Sequence, residues 1–136
     1  MELQVGVKIL LKNKEGKYLL LRRSLVKYPD AKGRWDIVGG RIEIGTPLFD
    51  NLKREIKEET NMDLTGEPRL RTAQDILRIP GRHVVRLTYI GEASGEIVLD
   101  TSENDLYQWY SAEELAHLDD MDMYVRELLD KGILEL

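Results

Sequence analysis

Three glutamates within one short stretch, Glu55, Glu58 and Glu59, have the residue type and spacing to do chemistry. On a helix through residues 54–59 they are related by i, i+3 and i+4, so their carboxylates project from one face. Like charges at these spacings destabilise an isolated helix by roughly 0.2–0.5 kcal/mol per pair, so folding alone does not ask for them. A hard divalent cation reverses that sign, because Mg2+ takes carboxylate oxygens and keeps further positions for water and substrate. The competing reading is a solvated acidic face relieved by Lys53, Arg54 and Lys57. The surroundings shift the balance toward a site. Trp35-Asp36-Ile37-Val38 reads as a short strand running into Gly39-Gly40; a loop follows, and the carboxylates fall in the second and third turns of the next helix. A glycine-rich strand end leaves room for a ligand to approach the backbone.

The elements that must position these groups follow from periodicity and punctuation. Residues 3–12 read as a strand, Asn13-Lys14-Glu15-Gly16 as a turn, and residues 17–23 as the returning strand of a hairpin. Pro29, Asp30 and Gly33 mark residues 24–34 as a loop. Thr46 before Pro47 fits a helix N-cap with proline at the first helical position. Leu48, Leu52 and Ile56 give that helix an apolar face, and Asn61 suits its left-handed end. Residues 69–79 and 83–91 read as strands joined by Pro80-Gly81-Arg82, and residues 106–110 as a last strand after a polar loop. Ser111-Ala112-Glu113-Glu114 is a capping box, and residues 120–131 form a final amphipathic helix closed by Gly132. This order of elements is that of an α/β sandwich.

Composition narrows the function classes. A chain of 136 residues, 33% charged, suits one globular domain. It has no cysteine, which excludes a disulfide scaffold, a thiolate zinc site and a cysteine nucleophile. A net charge of −5 argues against a nucleic-acid polymer as partner. The acidic excess lies in residues 92–136, where Arg126 and Lys131 are the only lysine or arginine. Aliphatic runs such as Leu19-Leu20-Leu21 are too short to span a bilayer, and the start carries no leader pattern, so the expectation is a cytoplasmic protein.

Gly40, Arg54, Glu55, Ile56, Glu58, Glu59 and Met62 stand at the spacings of a known signature: Gly, five residues, Glu, seven residues, Arg-Glu-apolar-x-Glu-Glu-x-Gly-apolar. In this box, residues 40–62, the chain resembles the Nudix hydrolases, whose paired glycines at the loop start are present as Gly39-Gly40. The likeness extends to a hairpin ending in arginine, a tryptophan before the glycines, and a late tryptophan followed by a Glu-Glu-Leu helix. Three positions depart from the pattern: Val38, Asn61 and Thr46. Asn61 tolerates left-handed geometry nearly as well as glycine. Thr46 replaces a glutamate that pairs with the signature arginine, so Arg54 must reach elsewhere, to Glu43, Asp50 or Glu58.

The resemblance implies a single domain, residues 1–136, with the Nudix-type α/β/α sandwich and a mixed central sheet. It implies a hydrolase cleaving the pyrophosphate linkage of a nucleoside diphosphate joined to a group X, with a nucleoside triphosphate, oxidised or not, or ADP-ribose as substrate. The other implied reading is a Nudix-fold regulatory module that binds a nucleotide with little or no turnover, a reading that Thr46 favours. Mg2+ or Mn2+ would be held by Glu55, Glu58, Glu59 and the Gly39 carbonyl, with Glu103 as a further ligand or a rival base. Glu55 is the expected proton acceptor, supported by Arg54 and Glu58. Arg23 and Arg41 are candidates for phosphate contacts, since guanidinium groups pair phosphate oxygens bidentately. Tyr28, Trp35, Arg82 and His83 are weaker candidates near the base, with Trp35 better placed in the core and His83 on the surface. The implied partner is a small nucleotide, and a homodimer is left open.

Overall fold

The structure is a computed structural model that describes residues 1–136. Strand β1, Glu2–Lys12, turns at Asn13, whose side chain accepts from the backbone N–H groups of Glu15 and Lys17, and returns as β2, Tyr18–Arg23. The hairpin expected from the sequence exists only at its turn, where Lys12 pairs with Tyr18. Beyond that the arms part like a fork, and residues 35–41 fill the gap. Within them β3, Trp35–Asp36, pairs with β2, and β4, Val38–Arg41, pairs with β1. The inserted segment supplies the backbone partners that the two arms would otherwise have given each other.

Helix α1, Leu48–Thr60, follows β4. It is succeeded by β5, Asp63–Ile76, and β6, Arg82–Ser94, an antiparallel pair. Strand β6 lies parallel to β1 over the whole length of that strand, which makes the sheet mixed. Strand β7, Asn104–Tyr110, lies on β2, and α2, Ala112–Ala116, and α3, Met123–Asp130, complete the chain. Strands β5 and β6 run further than their apolar pattern suggests. Register shifts at Thr65/Arg69 and Leu70/Thr72 let β5 carry Gly66 and Pro68 as bulges rather than ending there.

Alternation along the strands builds two apolar layers. Val7, Ile9, Leu11, Leu19 and Leu21 pack with Leu52 and Ile56 of α1. Leu10, Tyr18 and Leu20 point the other way and pack with Leu115 of α2 and Val125 and Leu128 of α3. Helices on both faces of a curled mixed sheet give the α/β/α sandwich.

Two local expectations change. Pro47, not Thr46, occupies the cap position of α1, and no side chain caps it. Asn51 fastens that end instead: its amide nitrogen donates to the carbonyls of Thr46 and Pro47, and its oxygen accepts from the N–H of Glu43. Helix α3 starts only at Met123, because the Asp122 carboxylate accepts from the N–H groups of Tyr124 and Val125 and so marks the cap. Asn61 behaves as expected, left-handed at φ 65° with its N–H on the Lys57 carbonyl.

Candidate functional site

A cleft of about 470 Å3 opens where the fork of β1 and β2 meets α1. Its acidic side is built by the fit of α1 against β4. Gly39 has φ 142°, and a Cβ there would fall 2.0 Å from the Val7 carbonyl oxygen, so only glycine lets β4 lie so close to β1. A Cβ on Gly40 would stand 2.8 Å from Glu55 Oε2, so the missing side chain is where the Glu55 carboxylate rests. Glu55 is buried, and its other oxygen, Oε1, accepts from Arg54 Nη1 at 2.9 Å. Glu59 accepts from the N–H of Gly39 at 3.3 Å. Glu58 stays at the rim, its side chain 58% exposed and 3.4 Å from Arg54 Nη1. One helix face therefore lines the cleft with all three glutamates, two inside and one at the edge.

Arg54 ties the loop to the helix. It reaches Glu43, 3.4 Å from Nε, along with Glu58, and it also bonds Asn51 Oδ1 at 2.9 Å and the Arg41 carbonyl. Of the carboxylates expected to compensate for Thr46, Glu43 and Glu58 do so and Asp50 does not.

Burial pushes the Glu55 carboxyl up from its ordinary range against the pull of Arg54. The effect is larger at Glu59, raised to about 8 by burial, with Lys8 acting against it and Glu55 adding to it. A carboxylate so poorly compensated calls for a cation. The donors on offer, Glu55, Glu59 and the Gly39 carbonyl, are all oxygen, which suits Mg2+ or Mn2+. No three carboxylates converge into a ready-made cage. Mg2+ does not need one, since one or two carboxylates with waters and substrate phosphates serve it.

Glu103 lines the same cleft but is engaged elsewhere: Lys27 donates to one oxygen and Tyr28 Oη to the other, at 2.7 Å for the tyrosine. Those bonds hold its carboxyl below the ordinary range. Arg23 and Arg41 are both on the cleft wall. Arg23 lies over the Tyr28 ring, and Arg41 is bonded to Gln4 Oε1 and to no carboxylate.

The model of the NUDIX domain matches residues 2–131. The chain belongs to the Nudix family. Membership carries the reaction class, a pyrophosphohydrolase acting on nucleoside diphosphate derivatives. No curated protein matches the chain significantly in sequence. Among solved structures it is similar to the MutT protein of Methanosarcina mazei Go1, at TM-score 0.81 and 22% identity over 98% of this chain and 95% of that one. The MutT NUDIX hydrolase of Burkholderia pseudomallei gives 0.79 and 23%, over 96% and 98% of the two chains. The ORF135 protein of E. coli gives 0.79 and 21%, over 98% and 91%. At these identities the likeness speaks for the Nudix fold.

Of the weaker candidates, Tyr28 lines the cleft of this Nudix chain and Arg82 does not. Trp35 meets Tyr110 edge-on and packs on the second core, while His83 pairs with Asp75 at the surface. Reading the sequence missed Lys8, Asp36, Arg86, Asp122 and Tyr124, all of which line the cleft. A signal was there: Lys8, Asp36 and Arg86 each interrupt an apolar strand at an inward-facing position, where a charge demands a partner.

Proposed function

We propose that this Nudix protein is a divalent-metal-dependent hydrolase of nucleoside triphosphates, cleaving the pyrophosphate linkage of a nucleoside diphosphate joined to phosphate. One observation carries the reading. A single cleft sets the oxygens of Glu55, Glu59 and Gly39 beside a basic wall that includes Arg23, Arg41 and Arg86. A bound Mg2+ or Mn2+ supplies charge neutralisation and an acidified water. The chain's own residues do the rest. Arg23 and Arg41 hold phosphate oxygens, which limits the poses in which the scissile phosphorus meets water in line. Glu55 would accept a proton from the attacking water on Oε2, since Arg54 holds Oε1. Glu58, at the rim, would complete the ligand set, and Glu103 would join it only by leaving Lys27 and Tyr28.

Glu43, 3.4 Å from Arg54 Nε, supports this reading over the sensor reading, because it offers Arg54 a carboxylate where Thr46 has none. The test is a panel of nucleoside triphosphates, oxidised triphosphates, ADP-ribose and dinucleotides with Mg2+ and with Mn2+. Release of phosphate or pyrophosphate from triphosphates, abolished by chelator, supports the reading. Turnover confined to ADP-ribose moves the substrate, and tight binding with no turnover returns the protein to the sensor class.

A further inference from the structure

More cations converge on Asp36 than on any other carboxylate of the chain, and it belongs to neither the glutamate set nor the Nudix box. Lys8 Nζ donates to its Oδ2 at 3.0 Å and Arg86 Nη2 to its Oδ1 at 3.0 Å, while Arg23 Nη2 stands 3.6 Å from Oδ2. The N–H of Ile37 donates to Oδ1 at 2.7 Å. The three cations come from β1, β2 and β6, and Asp36 sits at the end of β3, where the chain crosses between the arms of the fork. All four side chains line the cleft. Burial opposes the charge on Asp36, yet Arg86, Lys8 and Arg23 hold its carboxyl well below the usual range.

The cations differ in what else holds them. Arg86 also meets Asp122, and Lys8 also donates to the carbonyls of Ile37 and Gly39. Arg23, the most exposed of the three at 39%, has Asp36 as its only carboxylate, with the Tyr28 ring on its other side. Without Asp36 only the Tyr28 ring would direct its guanidinium, and a loosely held arginine side chain gives up rotamer entropy whenever it binds.

We propose that Asp36 is a positioning residue that holds Arg23 in the cleft, oriented to receive the phosphate chain of a nucleotide. The proposal rests on the nucleotide-hydrolase reading above, and its test separates the two. Asp36→Asn keeps the shape and removes the charge. Binding of inorganic tripolyphosphate is measured by calorimetry in chelator for the wild type, Asp36→Asn, Arg23→Ala and the double variant. Each single change is expected to weaken binding about tenfold, and the double no more than about twofold beyond either, because Arg23→Ala removes the cation and Asp36→Asn removes the group that orients it. A double variant about a hundredfold weaker, or an Asp36→Asn variant that binds like the wild type or more tightly, as a simple gain of net positive charge in the cleft would give, overturns it. Near-UV circular dichroism checks the fold. If Asp36→Asn is unfolded, Asp36→Glu in the same cycle decides: coupling to Arg23→Ala supports the proposal and additivity overturns it. For a triphosphate that the wild type hydrolyses, Asp36→Asn should raise KM about tenfold and change kcat less than threefold, a split that general loosening of the fold does not produce. A wild type that hydrolyses nothing while the binding cycle stays coupled sinks the hydrolase reading and leaves the role of Asp36 standing.

Discussion

The Glu55 carboxylate lies against the Cα of Gly40, so closely that a Cβ on that glycine would stand 2.8–2.9 Å from its carboxylate atoms. The neighbour is the far end of a flexible side chain, and Gly40 is not among the glycines with positive φ. Gly40→Ala should therefore fold and displace Glu55. We expect kcat to fall at least about a hundredfold, since an ångström-scale misplacement near the chemistry costs that much, with the thermal midpoint within a few degrees of the wild type. Gly39→Ala meets the Val7 backbone at 2.0 Å with φ 142° and should be poorly folded. An active Gly40→Ala enzyme would remove Glu55 from the reaction.

Glu58 differs from its two neighbours in exposure, and that separates its role from stability. Its contact with Arg54 is a rim ion pair at 3.4 Å, worth about 0–1 kcal/mol. Glu58→Gln should leave the thermal midpoint nearly unchanged and lower turnover by two or more orders of magnitude, if the rim glutamate is a metal ligand. Normal turnover with Mg2+ would take Glu58 out of the ligand set. Tm and kcat measured on the same preparation decide the matter.

How much of this was legible in the sequence depends on the range of the interaction. The helix carrying Glu55, Glu58 and Glu59, its left-handed end at Asn61 and the Ser111 capping box are local, and their residues announce them. The fork in the β1–β2 hairpin is not local: it depends on residues 35–41 arriving to satisfy both arms. The same holds for the site. Arg54 and the glutamates share one helix, whereas the Asp36 centre gathers Lys8, Arg23 and Arg86 from separate strands, and no spacing rule connects them. Glu103 shows the converse. It lines the cleft, and its engagement by Lys27 and Tyr28 follows from loop packing that sequence spacing does not record.

Glu59 makes the metal-free protein pH-sensitive with a definite sign. Its carboxyl is raised from 4.5 to about 8, so the folded chain holds a proton more tightly than the unfolded chain does. The associated stabilisation is complete below about pH 4.5 and is lost as pH rises through about 8. Glu55, raised in the same direction, adds to it. In chelator the thermal midpoint should fall between pH 5 and pH 8.5. Added Mg2+ should restore it by an amount that grows with pH, while at pH 7 its binding releases protons to the buffer. Glu59→Gln should flatten the metal-free profile. Scanning calorimetry across that range checks the trend, and an unchanged slope in the variant assigns the effect to another group.

Asn51 is fully buried and serves four partners: the Thr46 and Pro47 carbonyls, the Glu43 N–H and Arg54 Nη2. Asn51→Ala strands those groups, and each buried polar group left unsatisfied costs about 1–3 kcal/mol. Some of the loop becomes hydrated, so a loss of about 2–3 kcal/mol in chemical denaturation is expected. Activity should fall as well, because Arg54 loses the contact that steers its Nη2 while its Nη1 holds Glu55. Asn51→Asp separates the two effects. It keeps an acceptor for Glu43 and Arg54 but cannot donate to the carbonyls, so it should recover turnover more than stability. Equal recovery of both would mean that Asn51 matters to the reaction only through the fold of the loop.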